Sequence, residues 1–99
     1  MNTDAKKFLE KQIGRLTLGG LLNSIRLGEE LSQDEFSKLL GISKSHLCDI
    51  EKGRKFVSPE RAEFFAKKLK YSAHQFVRLA LQDLINNTGL KYAVEVHAL

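Results

Sequence analysis

The stretch Leu31–Pro59, LSQDEFSKLLGISKSHLCDIEKGRKFVSP, carries two complete sets of helix start and stop signals with almost no chain between them. Ser32 is placed as an N-cap, with Glu35 three residues on to close a capping box and Leu31 and Phe36 spaced as a hydrophobic staple. Gly41 stops that helix by taking the left-handed conformation at little cost. Ser43 caps the next helix at once, with Ile42 and Leu47 as its staple, and Gly53 ends it. Two short helices with so tight a link must cross rather than run on, which is the geometry of a helix-turn-helix.

The flanking chain is helical by the same reading. Thr17 caps a helix with Leu18, Leu21, Leu22 and Ile25 on its apolar face, ending at Gly28. Gly19 and Gly20 weaken its first turn by roughly 1 kcal/mol each relative to Ala, unless close packing needs them. Phe36, Leu39 and Leu40 form the inner face of the helix after Ser32. Ser58-Pro59 opens a helix with Ala62, Phe65, Ala66 and Leu69 inward. Ser72 and Gln75 read as a capping box, and Tyr71 and Phe76 as a staple, for a last helix running to about Asn86. Residues 4–14 predict an additional leading helix, with Ala5, Phe8, Leu9 and Ile13 on one face. Lys91–Val96 alternates with period two and is the only strand candidate. The expected fold is all-α: a helical arm over 1–16, a five-helix domain over 17–87 and a β-strand arm over 88–99.

A chain of 99 residues leaves room for one domain. No apolar run approaches the roughly 20 residues of a membrane span, so no membrane association is expected. Cys48 is the single cysteine, which excludes an internal disulfide and a Cys-rich zinc module, and makes a reducing cytoplasm the expected setting. His46 and Cys48 point to different sides of one helix, and His74 and His97 are isolated, so no metal or other cofactor is expected. No nucleophile–base pair and no Gly-rich phosphate loop appears, and the chain reads as a non-enzyme. The charge is concentrated. Residues 1–43 hold six basic and six acidic side chains, and residues 71–99 two of each. The whole net charge of +4 therefore lies in residues 44–70, which suits a polyanionic partner.

The helix after Ser43 must give one face to the core and one to solvent. Leu47 and Ile50 share the first face; Ser45, Cys48, Asp49 and Lys52 point the opposite way, with Lys44 near the N-terminus. That outer face is small and polar, and a major groove admits such a helix. Lys52, Arg54 and Lys55 follow where a loop would run beside phosphates.

Gln33, Gly41 and the apolar-x-x-apolar-Glu-x-Gly run of Leu47, Ile50, Glu51 and Gly53 resemble the Xre/Cro-type helix-turn-helix of lambda-repressor-like domains. The resemblance covers roughly residues 18–86. It implies that Lys44, Ser45 and Asp49 face bases, that Gln33, Ser43, Lys52, Arg54 and Lys55 meet the phosphate backbone, and that Arg26 pairs with Glu51. It further implies a sequence-specific regulator of transcription, an autorepressor, bound to a palindromic duplex as a homodimer. A second function class stays open: an antitoxin that neutralises a small toxin protein and binds DNA for autoregulation. The expected dimer or partner face joins Phe76, Val77, Ala80, Leu81 and Leu84 to Tyr92, Val94 and Val96. The bland alternatives are that Ser32, Ser43 and Ser58 serve only as caps and that Lys44 and Ser45 are simply solvated.

Overall fold

The computed structural model describes residues 16–99; the helix expected over 4–14, and with it most of the N-terminal arm, lies outside them. Five α-helices follow: α1 (Leu18–Gly28), α2 (Gln33–Leu40), α3 (Lys44–Glu51), α4 (Pro59–Leu69) and α5 (Ala73–Asn87). Each begins at a side-chain cap. The hydroxyls of Thr17, Ser32, Ser43, Ser58 and Ser72 accept from backbone N–H groups of the first turns. These bonds satisfy donors that a helix start otherwise leaves open. The Ser32–Glu35 capping box closes in both directions. At Ser72 only the serine half forms, accepting from the Gln75 N–H.

Four helix ends share one geometry, in which the two residues past the helix bond back to its last turn. After α3, Gly53 at φ 76° donates to Ile50 and Arg54 donates to the Asp49 carbonyl at 2.8 Å. Gly41 serves in the same way after α2, but Glu30 (φ 56°) and Lys70 (φ 61°) hold the left-handed position after α1 and α4. Helix α1 ends at Gly28, as expected, but the left-handed residue of the turn after it is Glu30.

The core takes Leu18, Leu22 and Ile25 from α1, Phe36 and Leu40 from α2, and Leu47 and Ile50 from α3. Val57 joins from the loop, Ala62, Phe65 and Ala66 from α4, and Phe76, Leu79 and Ala80 from α5. Leu39 is exposed instead of buried, and Ser37 takes an inner position on α2, its hydroxyl donating to the Asp34 carbonyl. On α5 the inner stripe is Phe76, Leu79, Ala80 and Asp83. Phe76 and Ala80 are each 1% exposed, so they belong to this core and not to an outer partner face. Asp83 Oδ2 accepts from the Leu18 N–H at 3.1 Å, so α5 caps the start of α1. Burial pushes the Asp83 carboxyl above the usual range, and the Leu18 bond only partly offsets this.

The expected C-terminal strand is not formed: residues 90–99 carry no regular secondary structure. A strand needs a partner for its backbone, and among the described residues no other chain segment supplies one. A side chain of α5 substitutes. Gln82 Nε2 donates to the Tyr92 carbonyl at 2.7 Å, and Gln82 Oε1 accepts from the Val94 N–H at 2.8 Å. Further along, His74 Nε2 donates to the Val96 carbonyl. The arm thus runs back along α5. His74 and Gln82 lie about 12 Å apart on the helix, a span that the few residues between the anchors cover only when nearly extended, at about 3.3 Å each. Val94 and Val96 are half-buried, while Ala93 and Glu95 are exposed.

One close approach sets the pose of α1 on α3. A Cβ added at Gly19 would lie 2.0 Å from the Ile50 carbonyl oxygen, whereas one at Gly28 would meet nothing within 4 Å. Gly19→Ala is expected to destabilise the domain by about 1–3 kcal/mol or more through forced overpacking. Gly28→Ala should instead stabilise it by about 0.4–1 kcal/mol. Urea melts of the two variants check the pair; equal midpoints would refute the close packing of α1 on α3.

Candidate nucleic-acid interface

The helix pair expected over 33–52 is present as α2 and α3, joined through Gly41, Ile42 and Ser43. Leu47 and Ile50 fix the inner side of α3 at 0% and 2% exposure. Lys44 and Ser45 stand exposed in its first turn, while His46, Cys48 and Asp49 are half-buried around its flank. Ser43 is exposed, with its hydroxyl committed to the His46 N–H at 3.0 Å.

The orientation of α3 is set at its last residue. Glu51 has a side chain only 4% exposed, and its two oxygens gather three partners. Oε2 accepts from Arg26 Nε at 2.8 Å. Oε1 accepts from Arg26 Nη2 at 3.1 Å, Asn23 Nδ2 at 3.1 Å and Gln33 Nε2 at 3.0 Å. Arg26 also donates through Nη1 to the Leu31 carbonyl. One carboxylate therefore joins α1, α2 and α3. Burial alone would raise its pKa, but the bonds from Arg26, Gln33 and Asn23 outweigh burial and hold it below the usual carboxylate range. Gln33, expected beside the phosphate backbone, has its amide turned to Glu51. Asn23 went unnoticed in the sequence, since a polar residue one turn before Arg26 carries no motif signal.

Past α3, the turn at Gly53 folds the basic loop back beside the helix. Arg54 Nε lies 3.1 Å from Asp49 Oδ1, and Lys55 Nζ is 4.0 Å from Oδ2. Arg54 Nη2 also approaches Cys48 Sγ at 3.8 Å. Asp49, expected at the bases, is thus engaged by Arg54. Arg54, Lys55 and Lys52 remain exposed. Val57, 4% exposed, anchors the far end of this loop in the core and leaves Phe56 at the surface.

The structure adds two residues to this surface that the motif did not mark. Burial lowers the pKa of His46, and the positive charges of Arg61 and Lys55 lower it further against the pull of Asp49. Arg61, in the first turn of α4, therefore shares the field of α3 and its basic loop. Of the expected partner face on α5, Val77 and Leu81 are half-buried and Leu84 is 41% exposed; Tyr92 is 68% exposed. Among the described residues, no cluster of side chains is arranged to hold a metal ion, and no helix is long and apolar enough to cross a membrane.

Glu51→Ala strands the Arg26 guanidinium and is expected to cost about 3–5 kcal/mol, the range for breaking a buried pair from one side. The pH dependence has a definite sign. Because folding lowers the Glu51 pKa, the associated stability is present above its unfolded value of about 4.3 and is lost as pH falls through the folded value. Chemical melts of wild type and Glu51→Gln across pH 2–7, on the order of the carboxylate range, should show this acid-side loss in the wild type and less of it in the variant. An unchanged midpoint for Glu51→Ala would remove the carboxylate from its structural role.

Residues 22–76 match the sequence profile of the helix-turn-helix family HTH_3, a span of more than half the chain that contains α2, α3 and α4 entire. No curated protein and no solved structure matches the chain.

Proposed function

Because the chain belongs to the Xre/Cro-type helix-turn-helix family, whose fold implies DNA binding and points to a non-enzymatic regulator, we propose that it is a sequence-specific repressor of transcription that inserts α3 into the major groove as a homodimer. The observation that carries this reading is the outer side of α3: Lys44 and Ser45 are exposed on a short helix whose pose is fixed by the Glu51 bonds, beside a basic loop folded back at Gly53. A major groove about 12 Å wide admits this helix with its small side chains against base edges. Lys44 and Ser45 are the base readers, with Asp49 as an acceptor for a cytosine amino group. Lys52, Arg54 and Lys55 hold phosphates, as do Ser43 and Gln33; the Gln33 amide keeps a second hydrogen after bonding Glu51. Arg61 extends the phosphate track from α4. A two-fold dimer with recognition helices about 34 Å apart reads a palindromic operator.

Lys44→Ala and Ser45→Ala should each weaken specific binding by about 1–3 kcal/mol and erode discrimination between operator and scrambled duplex. Lys55→Ala should weaken both duplexes alike and reduce the slope of log affinity against log salt by about 1. Fluorescence titrations at several salt concentrations check this. A specific-to-nonspecific ratio unchanged in Lys44→Ala would unseat α3 as the reading helix.

Burial is the larger cause of the low His46 pKa, and the charges of Arg61 and Lys55 add to it; phosphates bound beside these two offset their part. The bound protein then holds the His46 proton more tightly than the free one, so complex formation takes up a proton. Affinity should rise as pH falls below the ordinary histidine value, because the proton taken up belongs to a group whose pKa is already lowered in the free protein. His46→Gln should flatten that dependence, and titrations at fixed ionic strength across this range measure it.

A further inference from the structure

The C-terminal arm is bonded to α5 along one edge only. In an extended chain, residues two apart present their N–H and C=O groups to the same side. The edge of Tyr92, Val94 and Val96 faces Gln82 and His74. The opposite edge belongs to Lys91, Ala93 and Glu95, whose backbone groups have no partner among the described residues. All three are exposed. The arm is therefore held in shape by α5 while its outer edge is left open to another strand.

We propose that this edge pairs antiparallel with the same edge of a second copy of the chain, with the two-fold axis at Ala93 and each arm still clamped by its own Gln82. The register is fixed by the residues themselves. Centring on Ala93 places Lys91 opposite Glu95 of the second copy, and Glu95 opposite Lys91, so both ends of the ribbon carry attractive charge pairs. It places Tyr92 opposite Val94, an aromatic–β-branched pair, and covers the tyrosine that is 68% exposed in the single chain. It also makes the three open residues the hydrogen-bonded positions of the ladder, where each facing pair exchanges N–H···O bonds. A shift by one residue would turn the clamped edge outward and break the Gln82 bonds. An unrelated strand could take the edge, but self-pairing sets Lys91 and Glu95 against each other at both ends; among the described residues of the single chain, Glu95 has beside it only His97, at 3.6 Å and equally exposed. The interface supplies the partner for the dimer proposed above and does not depend on DNA binding.

The test is analytical ultracentrifugation of the full chain and its charge variants. The wild type is expected to dimerise. Lys91→Glu and Glu95→Lys alone each convert two attractive pairs into two repulsive ones and should weaken the dimer about tenfold. The double reversal restores both pairs and should return the dissociation constant to within about threefold of wild type. Ala93→Pro removes the central donor and should abolish the dimer while leaving the melting temperature of the monomer, compared below the wild-type dissociation constant, unchanged, because that N–H has no partner within the described chain. A wild type that stays monomeric overturns the proposal, as do single reversals without effect or a double reversal as weak as the singles. Binding to scrambled duplex is measured on the same samples. A wild-type dimer that binds no duplex would overturn the DNA reading and leave the ribbon standing.

Discussion

The carboxylate of Glu51 is the point on which the arrangement of the first three helices depends. Helices of eight residues, such as α2 and α3, are too short to persist alone and take their stability from packing. Apolar contact from Leu47 and Ile50 holds α3 against the core, but such contact is non-directional. The bonds from Asn23, Arg26 and Gln33 add direction, because a bidentate guanidinium–carboxylate pair tolerates little rotation. Glu51 sits at the C-terminal end of α3, where the helix dipole disfavours a negative charge. The three donors offset that cost together with the cost of burial, and the pair anchors the helix by the end farther from Lys44 and Ser45.

Backbone geometry completes what the carboxylate begins. Gly19 lets α1 rest on the Ile50 carbonyl without an intervening side chain, so the two helices meet at nearly backbone distance. Gly53 turns the chain so that Arg54 and Lys55 return to Asp49. The acidic side chain on α3 thereby holds two cations of the loop in place before any polyanion arrives. Val57 pins the loop from the other side. The surface is thus organised from below, by groups that do not themselves face outward.

Much of this was legible in the sequence because the signals are local. Five hydroxyl caps, the Ser32–Glu35 box and the Gly41 turn each depend on a few neighbouring residues, and the Arg26–Glu51 pair came through the family resemblance. What was not legible depended on distant parts of the chain. Leu79 and Asp83 are inner residues of α5 although Leu81 and Leu84 are equally well spaced for a buried face; only the direction from which α1 and α4 approach decides between them. Val57 lies in a basic loop with no local signal for burial, because the core residues that cover it lie elsewhere in the chain. Glu30 and Lys70 take a conformation that favours glycine, and the helices they terminate hold them there. The period-two pattern at 91–96 predicts a strand that is not formed; the backbone of Tyr92 and Val94 is bonded instead by the Gln82 side chain. Pattern shows which conformation a segment favours; it does not show what satisfies its backbone.

The bond from Leu18 to Asp83 joins residues 65 positions apart and connects the first described helix to the last. Its consequence lies in the order of assembly. In a chain emerging from the ribosome, α1, α2 and α3 come free before α5, and these can meet through Glu51. The N–H of Leu18 must then rely on water until Asp83 has emerged and docked. The start of α1 is completed only when nearly the whole domain is available, so closure of the domain is tied to late synthesis, with the cost in loop entropy that so long a separation carries. Among the described helices, the one made first is the one finished last.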